Sequence, residues 1–263
     1  MHRAHRVATA AIATGIAAAI TLTGCSSDSD SGSGGNNTTA SSSMSDPAAL
    51  IKAAADKTAA LTGAHLDLTV DGKVPNVTVK KVDADLVTKP TTAAKGTATV
   101  MLGSTDSAAP FVYVDQHLYA DIGNKGYVDY GDGRSVYDVS VVLNPEKGLA
   151  NLLRNMQDPK TSGTEDIGGV KATRVTGTVA AKQLAALTGT NITKNQDAQV
   201  PVNVWITPDN QLARVVLIPA TNSTMTMNLS NWNNTVEVTK PATIATPSPS
   251  GTPSPSDASR APA

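Results

Sequence analysis

The sequence predicts an α+β domain: one long, curved antiparallel sheet with three helices inserted between its strands. Three observations predict it. Apolar residues recur at every second position through most of residues 64–240. The alternating stretches are joined by short turn-like links, too short for the crossovers that a parallel sheet needs. Helix-periodic stripes with capping residues interrupt the alternation at only three places. Three modest helices have to cover one face of such a sheet. A strongly twisted sheet wrapped over helices encloses either a cavity or a solid core.

The first helix opens at Ser45-Asp46-Pro47, a capping residue followed by proline in the first turn. Leu50, Ile51, Ala54, Thr58 and Leu61 follow at helical spacing, and Gly63 ends it. Leu66, Leu68 and Val70 then alternate with His65, Asp67 and Thr69. Val77 and Val79 share one phase, Lys80-Lys81 breaks it, and Val82, Ala84 and Leu86 resume, which predicts a bulge. Ala98, Val100 and Leu102 form the next strand. Residues 111–114 and 118–120 make a hairpin about Asp115-Gln116-His117, and residues 125–130 add a short strand. Asn144 and Pro145 signal a second helix with Leu149, Leu152, Leu153 and Met156 as its apolar stripe. Strands near 162–167 and 170–178 turn at Gly168-Gly169, and residues 180–187 form a short helix ended by Gly189. The closing strands centre on Val202, Val204 and Ile206, on residues 212–218, on Met225, Met227 and Leu229, and on Val236 and Val238.

The amino end carries an address. His2, Arg3, His5 and Arg6 precede a mostly apolar stretch, residues 7–22, and then Leu22-Thr23-Gly24-Cys25. The apolar run is shorter than the roughly 20 residues of a permanent span. It reads as a cleaved lipoprotein signal, residues 1–24, with Cys25 as the new, diacylglyceryl-modified and acylated N-terminus. Cys25 is the only cysteine. Once lipidated it leaves no disulfide, so stability must come from a core. Residues 25–44 are a Ser/Gly/Asp/Asn-rich tether, residues 45–240 a single domain, and residues 241–263 a disordered Pro/Ser-rich tail. The chain is thereby expected outside the cytoplasm, anchored to the outer face of the cytoplasmic membrane or cell envelope.

Charge and inventory remove other classes. The chain has 21 basic and 22 acidic residues, and cleavage removes Arg3 and Arg6 but no acid. No basic field for nucleic acid remains. Only His65 and His117 persist in the mature chain, one on the polar side of a strand and one in a turn. No nucleophile elbow, metal-ligand cluster or phosphate loop occurs, so neither an enzyme, a metal site nor a cofactor is expected. Asp83 and Asp85 share one strand face with apolar residues between them, the pattern of a solvated face.

Several segments together resemble the mycobacterial LppX/LprA/LprF/LprG lipoprotein family, closest to its LprA type. They are Phe111-Val112-Tyr113-Val114-Asp115 with Leu118-Tyr119; Tyr137 through Leu143-Asn144-Pro145 to Gly148-Leu149-Ala150-Asn151-Leu152-Leu153; Val202-Asn203-Val204-Trp205-Ile206; Leu229-Ser230-Asn231-Trp232; and Lys95-Gly96 before Ala98. Two departures stand out: Val139 follows Tyr137-Asp138 where relatives often carry proline, and the tail is longer than the family's. The resemblance implies a half-barrel similar to the LolA/LolB carriers, with helices over the concave face and an apolar cavity between. It implies multi-acylated lipids or glycolipids as ligand, in a monomer tied to the membrane through Cys25. An envelope transporter and a host receptor for acylated cysteine are possible further partners.

The inward sheet positions expected to line that cavity are Leu68, Val70, Val79, Ala98, Val100, Val112, Val204, Val215, Leu217, Met225 and Met227. The helices add Leu149, Leu152, Leu153, Leu184 and Leu187. Small Val and Ala side chains leave volume, and the two methionines adapt to variable chains. The single phenylalanine, Phe111, supplies little aromatic filler. From pattern alone the same residues describe a plain packed core.

Overall fold

The computed structural model describes residues 46–74, 77–189 and 195–245. The signal segment, Cys25 with its tether, and residues 246–263 of the tail lie outside them.

Helix α1 spans Pro47–Ala59. The Asp46 side chain accepts the Ala48 N–H at 3.1 Å, which caps the helix and leaves proline in its first turn. Ile51, Ala54, Ala55 and Thr58 form its buried stripe. The Thr58 hydroxyl donates to the Ala54 carbonyl at 2.7 Å, so its burial leaves no donor unpaired.

The strands follow as β1 (Gly63–Asp71), β2 (Val79–Val87), β3 (Ala93–Leu102), β4 (Thr105–Val114), β5 (His117–Ala120) and β6 (Val128–Asp132). After a connection containing α2 (Leu149–Arg154) come β7 (Gln157–Ile167) and β8 (Val170–Ala180). Helix α3 (Ala185–Thr188) leads to β9 (Gln199–Ile206), β10 (Leu212–Ala220) and β11 (Ser223–Ser230). Among the described residues all eleven strands lie in one curved, unclosed sheet, ordered β6-β5-β4-β3-β2-β1-β11-β10-β9-β8-β7, and every pairing is antiparallel. Consecutive strands pair within β1–β6 and within β7–β11, with β6 and β7 as the two edges; the halves join at one seam, where the first strand meets the last with Leu66 opposite Leu229 and Leu68 opposite Met227. The edge strand β7 is protected against adding another chain by Pro159 and two register shifts.

The bulge expected at Lys80-Lys81 is present between Val79 and Lys81. The expectation for the second helix needs correction. Asn144 does cap, accepting the N–H groups of Glu146 and Lys147 at 2.9 and 3.0 Å, but what it caps is a turn. Helix α2 begins only at Leu149, because Gly148 is extended and lies against the Val141 carbonyl, where a Cβ would stand at 2.1 Å. The third helix is likewise a 3₁₀ turn, Ala181–Gln183, followed by the single turn of α3, which ends on Gly189 with φ 63°.

The last expected strand, about Val236 and Val238, is not a strand. Residues 231–245 instead cross the outer face of the sheet as an extended strap. The Trp232 Nε1–H donates to the Leu212 carbonyl at 3.2 Å and the Asn233 N–H to Gly63 at 2.7 Å. Lys95 Nζ donates to the Glu237 carbonyl at 2.9 Å, Lys240 lies 5.3 Å from the Tyr119 ring, and the Ala245 N–H reaches the Tyr127 carbonyl at 2.7 Å. Residues 241–245, expected to be disordered, are therefore held against the sheet beside β6.

Candidate functional site

Cross-strand pairing defines the inner, helix-bearing face. One row runs Ala109, Ala98, Val82, Leu68, Met227, Val215, Val204, Val175, Thr161. A second runs Val70, Met225, Leu217, Val202. Val79 and Val100 pair beyond the bulge. Fifteen of the sixteen apolar residues read from the sequence belong to this face or to the helices over it, and they divide in two.

Leu149, Leu152, Leu153, Val204 and Val215 are all 0% exposed. Leu184, Leu187, Leu217, Met225 and Met227 are buried with them in one cluster. Helix α1 packs on α2 and over β7 and β10, and these residues close around one another as a core. Leu68, Val70, Val79, Ala98 and Val100, with Val82 and Phe111, are only half-buried. They form an apolar strip along the inner face of β1–β4, and the exposed Met101 and Leu102 stand at its far end, on the β3–β4 tip.

Val112 departs from the expectation. It pairs with Lys95 and Tyr119, in the row that carries His65 and Asp85, and so faces outward. Its neighbours Phe111 and Tyr113 take the inward positions. The run is apolar at every position because the strap covers its outer side also, so alternation could not choose the face. An outer cleft of about 440 Å³ borders Val112, His65, Asp83, Asp85 and Lys95. His65 lies 3.1 Å from Asp85 and 3.6 Å from Asp83, a half-exposed ion group on the polar face that the sequence assigns to it.

The outer face over β8–β10 has its own small cluster. Trp205 is 5% exposed, flanked by the guanidinium groups of Arg174 and Arg214 at 5.3 and 5.6 Å. Its Nε1–H donates to Glu165 at 2.9 Å.

A polar cleft of about 500 Å³ opens where the inner face meets the β4–β5 turn and the 3₁₀ segments Gly133–Ser135 and Val139–Val141. Tyr113, Thr91, Thr92, Asp115, Gln116, Arg134, Asp138 and Ser140 line it. Asp138 accepts the Ser140 N–H and hydroxyl at 3.1 and 2.6 Å, and Arg134 is clamped on Asp132 by two hydrogen bonds of 2.9 and 2.7 Å. That clamp, with the Arg134 N–H, holds the Asp132 carboxyl down to about 2. Next to it, burial and the Asp138 charge push the Tyr137 hydroxyl up to about 12, and this hydroxyl donates to the Leu187 carbonyl at 3.0 Å. Sequence reading missed this cleft: it joins Tyr113 of β4 to residues from three separate loops, and the segments of the family resemblance, though they contain Tyr113, Asp115, Asp138 and Ser140, give no sign that these residues meet.

The comparisons with known proteins agree with this architecture. The profile of the LppX_LprAFG lipoprotein family matches residues 46–238. The chain is 40% identical to lipoprotein LprA of Mycobacterium tuberculosis over 229 residues, 86% of this chain and 93% of that one. It is 38% identical to the lipoarabinomannan carrier protein LprG of Mycobacterium leprae over 240 residues, 90% of this chain and 96% of that one. Among solved structures, LprF from Mycobacterium bovis superposes with a TM-score of 0.67 at 24% identity, covering 75% of this chain and 97% of that one. LppX from Mycobacterium tuberculosis gives 0.56 at 23%, covering 73% and 97%. By profile, by identity and by length of match, the chain belongs to the LppX_LprAFG family of lipoproteins.

Proposed function

We propose that this protein is an envelope lipid carrier, anchored by acyl chains on Cys25, that takes acylated lipids or glycolipids onto the inner face of its half-barrel. The observation that carries the reading is the half-buried strip Leu68, Val70, Val79, Val82, Ala98, Val100 and Phe111. It is a contiguous apolar surface beside a closed core, on the face where curvature gives shelter. An acyl chain of roughly 15 methylenes has about 12 kcal/mol at stake on leaving the bilayer, at about 0.8 per methylene. Such a chain crosses water only under cover of a surface of this kind. The mechanism is reversible capture with no bond made or broken, and the carrier named among the relatives supports it. The tether keeps the domain near its donor membrane and raises the encounter rate.

The test is native mass spectrometry of the chain from residue 26 on, expressed in a lipid-rich related host without its signal segment. Discrete added masses, released by solvent as multi-acyl lipids, are the expected result. A clean unliganded mass that envelope lipids fail to shift sinks the reading. A second reading is favoured by the closed core around Leu149, Leu152 and Val204: an envelope surface lipoprotein whose acylated N-terminus, recognised by host receptors, is its active part. Both readings need the anchor. Cys25→Ser is expected to move the protein from the membrane fraction to the soluble fraction, and retention in the membrane would remove Cys25 as the tie.

A further inference from the structure

The tip of the β3–β4 hairpin departs from the usual composition of a turn. Met101 is 40% and Leu102 51% exposed, and they are the one consecutive pair among the exposed large apolar residues of the described chain. Gly103, at φ 65°, takes the turn with open space where a Cβ would stand, and exposed Ser104 completes it. Tight turns are ordinarily made of small and polar residues. The β10–β11 turn, at the same end of the sheet, keeps to that with Thr221 and Asn222.

The two apolar side chains point to opposite faces. Leu102 continues the inner phase of Ala98 and Val100, and Met101 falls between them on the outer side. A groove on a folded partner would cover one of them and leave the other in water. A lipid layer surrounds both. The local charge permits entry. Asp106, opposite Met101 on β4, accepts a hydrogen bond of 2.8 Å from Lys80 Nζ, so the acid beside the tip is already paired. Ser104 and Thr105 are neutral hydroxyls, suited to the depth of lipid head groups.

We infer that the β3–β4 tip is a second membrane contact, at which Met101 and Leu102 enter the bilayer that holds the lipidated Cys25. Apolar side chains of surface-bound elements sink roughly 5–10 Å, into the boundary between head groups and acyl chains. A tether of residues 26–45 reaches at most roughly 70 Å, at about 3.5 Å per residue. A single attachment at its far end fixes no orientation. The tip supplies one. It sets this end of the sheet against the membrane, and the β4–β5 turn with its polar cleft faces the aqueous side. The half-buried strip then begins at the bilayer surface. That consequence rests on the carrier reading above, and the contact itself does not.

The experiment uses the mature lipoprotein reconstituted into phosphatidylcholine vesicles. Cys25 is the only cysteine, so once it carries lipid a new thiol is the sole site for a thiol-reactive, polarity-sensitive dye. Ser104→Cys places the dye on the tip. Asp209→Cys places it on the exposed β9–β10 turn, at the opposite end of the sheet. A blue shift, with quenching by a lipid-borne nitroxide, is expected at the tip and not at position 209. Adding Met101→Gln and Leu102→Gln to the tip-labelled protein is expected to abolish both signals. The melting temperature should stay unchanged, since neither side chain is buried. Mixing phosphatidylglycerol into the vesicles is expected to leave the tip signal as it is. No quenching at the tip, equal quenching at the two turns, indifference to the double substitution, or a signal that needs the anionic lipid overturns the contact. Loading with diacylglycerol is read separately by native mass spectrometry. If loading fails while the tip is quenched, the carrier reading falls and the membrane contact stands. Loading without quenching removes the contact alone.

Discussion

Ala98→Trp is expected to abolish loading with acyl lipid while the protein still folds. Ala98 sits between Val82 and Ala109 in the inner row, with Gly96 and Val100 before and after it on the same face. It is the small floor of the half-buried strip. An indole there fills the space that a chain would use, at a position that is only half-buried. Loss of even a few methylenes of contact costs about 0.8 kcal/mol each, so loading should fall by orders of magnitude. Val100→Trp is expected to act in the same way. Native mass spectrometry reads the loading and thermal unfolding reads the fold. A folded, fully loaded variant contradicts the carrier reading. A loss of about 1–3 kcal/mol of stability would mean overpacking, and the strip would be core after all.

Leu152→Ala is expected to do the opposite. Leu152 is 0% exposed on α2, in the cluster that joins α1, α2 and the inner face of β8–β11. Its truncation leaves a cavity in a closed core and should cost about 2–5 kcal/mol in denaturant unfolding. Val100→Ala, by contrast, removes atoms from a half-buried position and should cost well under half of that. Equal costs at the two positions would erase the division of the inner face into a closed and an open half.

That division marks where sequence reading stopped. Period-two alternation showed which residues share a sheet face, because the pleat enforces it, and the bulge was legible from the slip at Lys80-Lys81. Nothing in Leu217 or Ala98 themselves says which of these inner-face residues lies under a helix. The answer depends on α1 leaning toward β7 and β10, a contact between distant parts of the chain. Val112 failed for a related reason: the strap that makes its outer side apolar comes from residues more than a hundred positions away. Asn144 shows a local signal read correctly as a cap and wrongly extended, since the chain needs Gly148 to fold back on Val141 before a helix can start.

The seam between β1 and β11 has a consequence for export. A chain threaded across a membrane emerges amino end first, and the hairpins from β1 to β6 can form from neighbours in sequence as they appear. The free side of β1 waits for β11, the last strand to arrive. Until then β1 is a bare strand edge with Leu66, Leu68 and Val70 in alternation, the kind of edge that recruits a strand from another molecule. Closing it joins residues from opposite ends of the domain, the slowest sort of contact to form. A chain that stops short of Ser223 keeps two such edges, on β1 and on β10. Self-association is then the expected fate of any truncated product, whatever its cargo.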